Sequence, residues 1–140
     1  MKPTLHQGLT AQASTIVTEA MTAPSHAAQF PVFWRAPAAL STLDLLGFVE
    51  QACADLIAEH LEGNEFSVGV DVQLTHTTPS PVGALLTADL QVIQVEPRSV
   101  LIAVTVSDPE SVVSIGQHRR AVLDRDRFAQ KLAEKAERLN

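Results

Sequence analysis

The chain has 140 residues and is 46% hydrophobic, which suits one globular domain with a proper core, so residues 1–140 are expected to form a single domain. The net charge of −6 argues against nucleic-acid binding, and no apolar run is long enough for a secretion signal or a membrane span. The lone cysteine, Cys53, excludes an intramolecular disulfide and favours a cytoplasmic location.

The first half of the chain predicts one strand and one long helix. Residues 9–21 are rich in Thr and Val and indicate the strand. Three prolines between residues 24 and 37 then interrupt regular structure. Ser41 or Thr42 is a credible N-cap for a helix over 43–61, which a following Gly-Asn pair should end.

The second half predicts four strands and a closing helix. Short turns rich in Pro, Gly and Asp separate strands over 66–77, 84–95, 99–107 and 111–123, as expected of antiparallel neighbours. Residues 124–140 predict a charged helix that carries one apolar stripe. This order predicts an α+β fold in which about five antiparallel strands wrap around the long helix, with a C-terminal helix added. One small sheet cannot cover all of the apolar surface of the long helix, so a second copy of the chain is expected to cover the rest in a homodimer.

Two ionisable residues stand where the pattern calls for apolar ones. Glu50 lies away from the polar stripe of the long helix and should point into the apolar interior. That polar stripe consists of Asp44, Gln51, Asp55 and Glu59. In the segment VGVDVQLTH, strict alternation places His76 at the end of an apolar face.

A buried carboxylate costs several kcal/mol unless it is paired and hydrogen-bonded. A structural hydrogen bond or ion pair would explain Glu50 or His76 taken singly. Two such residues on adjacent elements favour a catalytic acid/base pair, because burial raises the pKa of a glutamate and a nearby imidazole tunes it.

Several strings add a family resemblance that runs from Leu9 to Phe128. They are TLDLLGFVEQAC, SVGVDVQLTH, THTTPSPVG and GQHRRAVLDRDRF. With the order of elements, they resemble a hotdog-fold thioesterase of the fluoroacetyl-CoA thioesterase-like family. The resemblance implies hydrolysis of a small acyl-CoA at a site between two subunits, without a metal or cofactor.

The resemblance also implies roles for particular residues. Thr42, Glu50 and His76 match the catalytic group, with Glu50 as general base or nucleophile. Gly69 matches the glycine whose backbone lies near the acyl carbonyl. His118 and Arg120 alternate on one face of the last strand and match a structural or pocket-rim position. A helix starting at Thr42 would separate it from Glu50 by ~12 Å along the axis. Either the chain folds back there, or the threonine completes a neighbouring site.

The segment before the helix departs from the family pattern. In such enzymes this stretch helps to cover the acyl pocket, and here Phe33 and Trp34 are candidates for a lid over a larger or flatter acyl group. The alternative is that they are ordinary core anchors. Val70 stands where many relatives carry threonine, so selectivity for fluoroacetyl is not expected.

Two other functions stay open from the sequence. One is a hydratase or dehydratase of the same fold that acts on acyl thioesters. The other is a non-catalytic acyl-CoA binding module in which Glu50 and His76 stabilise the core.

Overall fold

A computed structural model describes residues 1–140 as one antiparallel sheet with two helices. The elements are β1 (Thr10–Ile16), α1 (Thr42–Ala58), β2 (Glu65–Leu74), β3 (Leu85–Glu96), β4 (Ser99–Ser107), β5 (Val112–Asp124) and α2 (Arg125–Leu139). The strand order is β1-β3-β4-β5-β2, with every neighbouring pair antiparallel. The predicted α+β class, the five strands and both helices are confirmed.

The core lies between α1 and the central strands. Alternate residues of β3 and β4 turn toward the helix and are buried, as period-two side-chain geometry requires. They are Leu86, Ala88, Leu90 and Val92 on β3, and Val100, Ile102, Val104 and Val106 on β4. Full burial of each larger aliphatic side chain contributes about 1.5–3 kcal/mol, so this layer fixes α1 on the sheet.

Helix α1 begins where the capping chemistry predicts. Ser41 is the N-cap: its hydroxyl accepts a hydrogen bond from the Asp44 backbone N–H at 3.0 Å. Thr42 is therefore the first helical residue, and its side chain is not used for capping. The helix ends at Ala58, three residues before the predicted end, because the chain already turns before Gly63.

The segment before α1 is irregular, as its prolines predict, and the first strand is shorter than expected. Beyond β1 the chain makes three short 3-10 turns between residues 19 and 35. A bridge between Thr22 and Leu40 ties the start of this segment to its end. His26 Nε2 lies 2.6 Å from Asp44 Oδ2 and joins the same segment to the first turn of α1.

Strand β2 contains a bulge that alternation alone cannot reveal. The bulge leaves Val70 without a partner, so Gly69 pairs with Arg120 and Val72 pairs with His118. Paired residues share a face, and the buried side chains of β5 mark that face as the inner one. The prediction of one unbroken apolar face is therefore wrong: the inner face changes phase at the bulge and includes Gly69.

Strand β2 also forms one open edge of the sheet. Near its middle, Val70 and Val72 keep 56% and 38% of their surface exposed. An edge with free backbone groups and apolar side chains is suited to pairing with another strand. Neither helix is long and apolar enough to cross a membrane.

Candidate active site

Thr42 and His76 lie together at the N-terminus of α1. The Thr42 hydroxyl oxygen is 2.9 Å from His76 Nδ1. Because Ser41 caps the helix, this hydroxyl is free to bond the imidazole. Thr42 therefore contacts His76 and does not fold back onto Glu50, which lies two turns further along the helix.

Backbone hydrogen bonds on both sides position His76. It lies two residues beyond β2, yet its neighbours still pair with β5: Thr75 donates to Ile115 O and Thr77 donates to Val113 O, each at 3.0 Å. The imidazole is half-buried between these two anchors. The segment thus holds the ring against the start of α1.

Glu50 does not point into the core of the single chain, contrary to the sequence prediction. Its side chain is 49% exposed. The buried stripe of α1 runs through Leu45, Val49, Ala52, Cys53, Leu56 and Ile57. Glu50 stands about 100° from the middle of that stripe, on its margin. The helical periodicity misplaced Glu50 because α1 is apolar over much of its surface, while the sheet covers only one side of the helix.

Arg120 is the partner of Glu50. Its Nη1 atom donates to Glu50 Oε1 at 3.4 Å, and the arginine itself is only 5% exposed. Its Nε and Nη2 donate to the hydroxyl and carbonyl oxygens of Ser67, each at 3.0 Å. A buried guanidinium with these fixed donors orients the carboxylate rather than presenting a free charge at a pocket rim.

His118 completes this arrangement; the resemblance matched it to a structural or pocket-rim position, but it was not a candidate site residue. It is 3% exposed; Nδ1 donates to the Asp71 carbonyl at 3.0 Å, so Nε2 accepts from Arg120 Nη1 at 3.0 Å. Burial lowers the pKa of His118, and the Arg120 charge lowers it further, against the raising effect of the Asp71 hydrogen bond. The ring is therefore a neutral support for Arg120. In the sequence, the role of His118 was indicated only by its position two residues before Arg120, which places both side chains on one face of β5.

The lowered pKa of His118 predicts acid sensitivity of the fold. The unfolded chain takes up a proton near the ordinary histidine pKa of about 6.5, where the folded chain does not. The unfolded state then binds more protons, so the free energy of unfolding decreases as pH falls below that value. Denaturant unfolding at about pH 7.5 and about pH 5.5 should show a smaller loss in His118→Asn than in the wild type. Equal losses would contradict this assignment.

Gly69 gives Glu50 its space. A Cβ at this position would lie 3.0 Å from Glu50 Oε1 and 2.9 Å from His118 Cε1. The glycine is required by this close approach, since any side chain would push against the carboxylate or the ring. The inner face of β2 therefore offers backbone, rather than a side chain, next to Glu50.

The predicted lid residues are separated. Phe33 lines an apolar cleft that also reaches Thr42. Trp34 is 65% exposed, lies outside that cleft and stacks under the Arg35 guanidinium at 5.3 Å. Of the two aromatics, the structure places only Phe33 beside a candidate functional residue.

Cys53 belongs to the core beneath the candidate site. Burial raises the pKa of its thiol to about 12, with the Arg120 charge acting in the opposite direction. A thiol with this pKa is protonated at neutral pH, so it is a packing residue and not a nucleophile. No group of three His, Cys, Asp or Glu side chains is placed to hold a metal ion.

The fold and this arrangement define a class of protein. An antiparallel sheet wrapped around one long helix is the hotdog fold. A hot-dog-like protein from Thermanaerovibrio acidaminovorans shares it with a TM-score of 0.79 at 23% identity, over 96% of this chain and 93% of that chain. At that identity the likeness shows the fold alone.

Closer matches show the family. The model of FlK, the fluoroacetyl-CoA-specific thioesterase, matches residues 17–126. The fluoroacetyl-CoA thioesterase of Streptantibioticus cattleyicolor is 31% identical over 105 residues, which are 75% of this chain and 76% of that protein. A crystal structure of a mutant FlK has a TM-score of 0.89 at 28% identity, over 94% of this chain and 97% of that chain. The chain belongs to the FlK family. The predicted family and the predicted enzyme class, thioester hydrolase, are confirmed.

Proposed function

We propose that this chain hydrolyses acyl-CoA thioesters as a homodimer, with Glu50, His76 and Thr42 as its catalytic group. One observation carries the proposal: the single chain holds two incomplete half-sites. The first half-site is Thr42 with His76, and the second is Glu50 with Arg120 and Gly69. No hydrogen bond joins Glu50 to His76 within the chain, although the chemistry needs both.

The geometry of α1 keeps the two half-sites apart in one chain. Thr42 and Glu50 are separated by ~12 Å along the helix axis. Gly69 and His76 are also far apart along the β2 segment, since seven residues at ~3.3 Å each span about 23 Å. A second copy is therefore the natural source of the missing half.

The edge of β2 supports such a copy. Antiparallel pairing of two β2 strands, centred between Val72 and Gln73, would place His76 of one chain opposite Gly69 of the other. Such pairing would satisfy the open edge and cover the exposed Val70 and Val72. It would also withdraw the half-exposed Glu50 from water.

The proposed chemistry follows from the two half-sites. Glu50 removes a proton from water as the water oxygen attacks the thioester carbonyl carbon, or it attacks that carbon itself and water then cleaves the anhydride. Arg120 holds Oε1, which leaves Oε2 for the reaction. The backbone near Gly69 faces the developing oxyanion, and His76, oriented by Thr42, supplies a proton as the C–S bond breaks. The products are the free acid and CoA thiol.

The test is release of free thiol from acyl-CoA substrates, followed with a thiol reagent, with crotonyl-CoA included. We expect thiol release that depends on enzyme concentration. A hydratase of the same fold would instead add water to crotonyl-CoA, consuming its double bond without releasing thiol. A binding module would bind acyl-CoA with no turnover. Either result would overturn the proposed function.

A further inference from the structure

An apolar cleft opens beside the first half-site. Its volume is about 430 Å³, and its walls include Phe33, Ala36, Pro37, Leu43 and Pro79 as well as Thr42. The irregular segment before α1 forms one wall, and the start of α1 forms another. Because Thr42 reaches both His76 and the cleft, this space adjoins the reacting groups of the proposed thioesterase.

The cleft offers no free polar side chain to a ligand. Its two hydroxyl-bearing residues already have partners: the Ser41 hydroxyl is bonded to Asp44, and the Thr42 hydroxyl to His76. No charged side chain lines the walls. A polar or charged acyl group would lose its hydration here without a side-chain partner to replace it, whereas a hydrocarbon group would gain from burial.

The size of the cleft exceeds the needs of a two-carbon acyl group. At about 30 Å³ per heavy atom, the share of one water in the liquid, an acetyl group would fill roughly a fifth of the space. An acyl group of about ten heavy atoms would occupy most of it. The volume also falls within the range of about 300–1,000 Å³ that is usual for small-molecule sites.

We infer that this cleft is the acyl pocket and that the chain prefers apolar acyl groups of about six to ten carbons over two-carbon ones. The inference rests on the proposed thioesterase function. Each methylene buried in the cleft improves binding by about fourfold, so chain length sets the preference. Because no free polar side chain lines the cleft, a short polar acyl group gains little from binding there.

The first test uses the wild-type protein and a length series. Measured as kcat/KM for thiol release, octanoyl-CoA should exceed acetyl-CoA by about a hundredfold or more, with hexanoyl-CoA between them. Calorimetric binding of the same CoA esters to Glu50→Gln should follow the same order. Phenylacetyl-CoA tests whether a flat group of similar size also fits.

The second test fills the cleft. Ala36→Phe should lower kcat/KM for octanoyl-CoA by about tenfold or more and lower that for acetyl-CoA by a clearly smaller factor, because the added ring takes the space of the longer chain. The matched control is Ala38→Phe, the same change at an exposed residue outside the cleft, which should alter neither substrate. A thermal unfolding midpoint close to that of the wild type shows that the variant is folded.

Three outcomes separate this inference from the proposed function. Hydrolysis of acetyl-CoA with no gain in longer esters would overturn the inference and leave the thioesterase standing. Equal effects of Ala36→Phe on all esters would also overturn it. If no ester is hydrolysed, the proposed function fails, and the calorimetric series alone decides whether the cleft selects apolar acyl groups.

Discussion

Replacing Glu50 by glutamine is expected to lower kcat/KM for thioester hydrolysis by about 10²- to 10⁴-fold, the usual contribution of a general base. Glutamine has nearly the same shape but can neither accept the proton of the attacking water nor act as the nucleophile. The loss should appear in kcat, since the groups that contact the acyl chain are unchanged. Thiol-release kinetics at saturating substrate measure it directly.

The same substitution should leave the fold almost unchanged. The glutamine carbonyl oxygen can still accept from Arg120 Nη1, and a half-exposed position leaves no cavity. Glu59→Gln is the matched control, because it makes the same change at an exposed carboxylate on the C-terminal side of α1. Full activity in Glu50→Gln, or unfolding that accounts for the lost activity, would contradict a catalytic role and favour a structural one.

Mixing two inactive variants is expected to restore activity. Glu50→Gln keeps an intact Thr42–His76 half-site, and His76→Ala keeps an intact Glu50 half-site. If each catalytic site takes one half from each subunit, a mixed dimer has one complete site and one site that lacks both groups. With random exchange, half of the dimers are mixed, so activity should return to about a quarter of the wild-type value.

This experiment also has a clear contrary result. If Glu50 and His76 act within one chain, no mixed dimer contains a complete site, and co-refolded variants should remain as inactive as each variant alone. The control is a mixture of tagged and untagged wild type, because the untagged chain that co-purifies with the tag measures how freely the subunits exchange. Sedimentation of the mixture confirms that dimers form.

Periodicity predicted most of the fold, because regular elements reveal themselves in local spacing. The strand over 99–107 and the helix from Thr42 follow from alternation and from a capping serine, both short-range effects. Where the prediction was wrong, the cause was not local. The bulge at Val70 depends on how β2 pairs with β5, and pairing partners are not visible in a strand's own sequence.

The same distinction between local spacing and long-range contacts applies to the candidate site. Spacing in the sequence singled out Glu50 and His76, and Thr42 came from the family strings. Sequence alone did not reveal that Arg120 and His118 hold Glu50, since residues 50 and 120 meet only when α1 packs on the sheet. Nor could it reveal that Trp34 turns away from the cleft while Phe33 lines it.

The amino-acid order by itself determined the class of fold, the order of its main elements and the family, because these depend on side-chain period, turn chemistry and recurring strings. Tertiary structure decided the surroundings of each functional group: the exposure of Glu50, the bond between Thr42 and His76, and the shape of the apolar cleft. The physical reason is that burial, charge pairing and cavity shape depend on residues far apart in the chain, whose approach is settled only when the sheet closes around the helix.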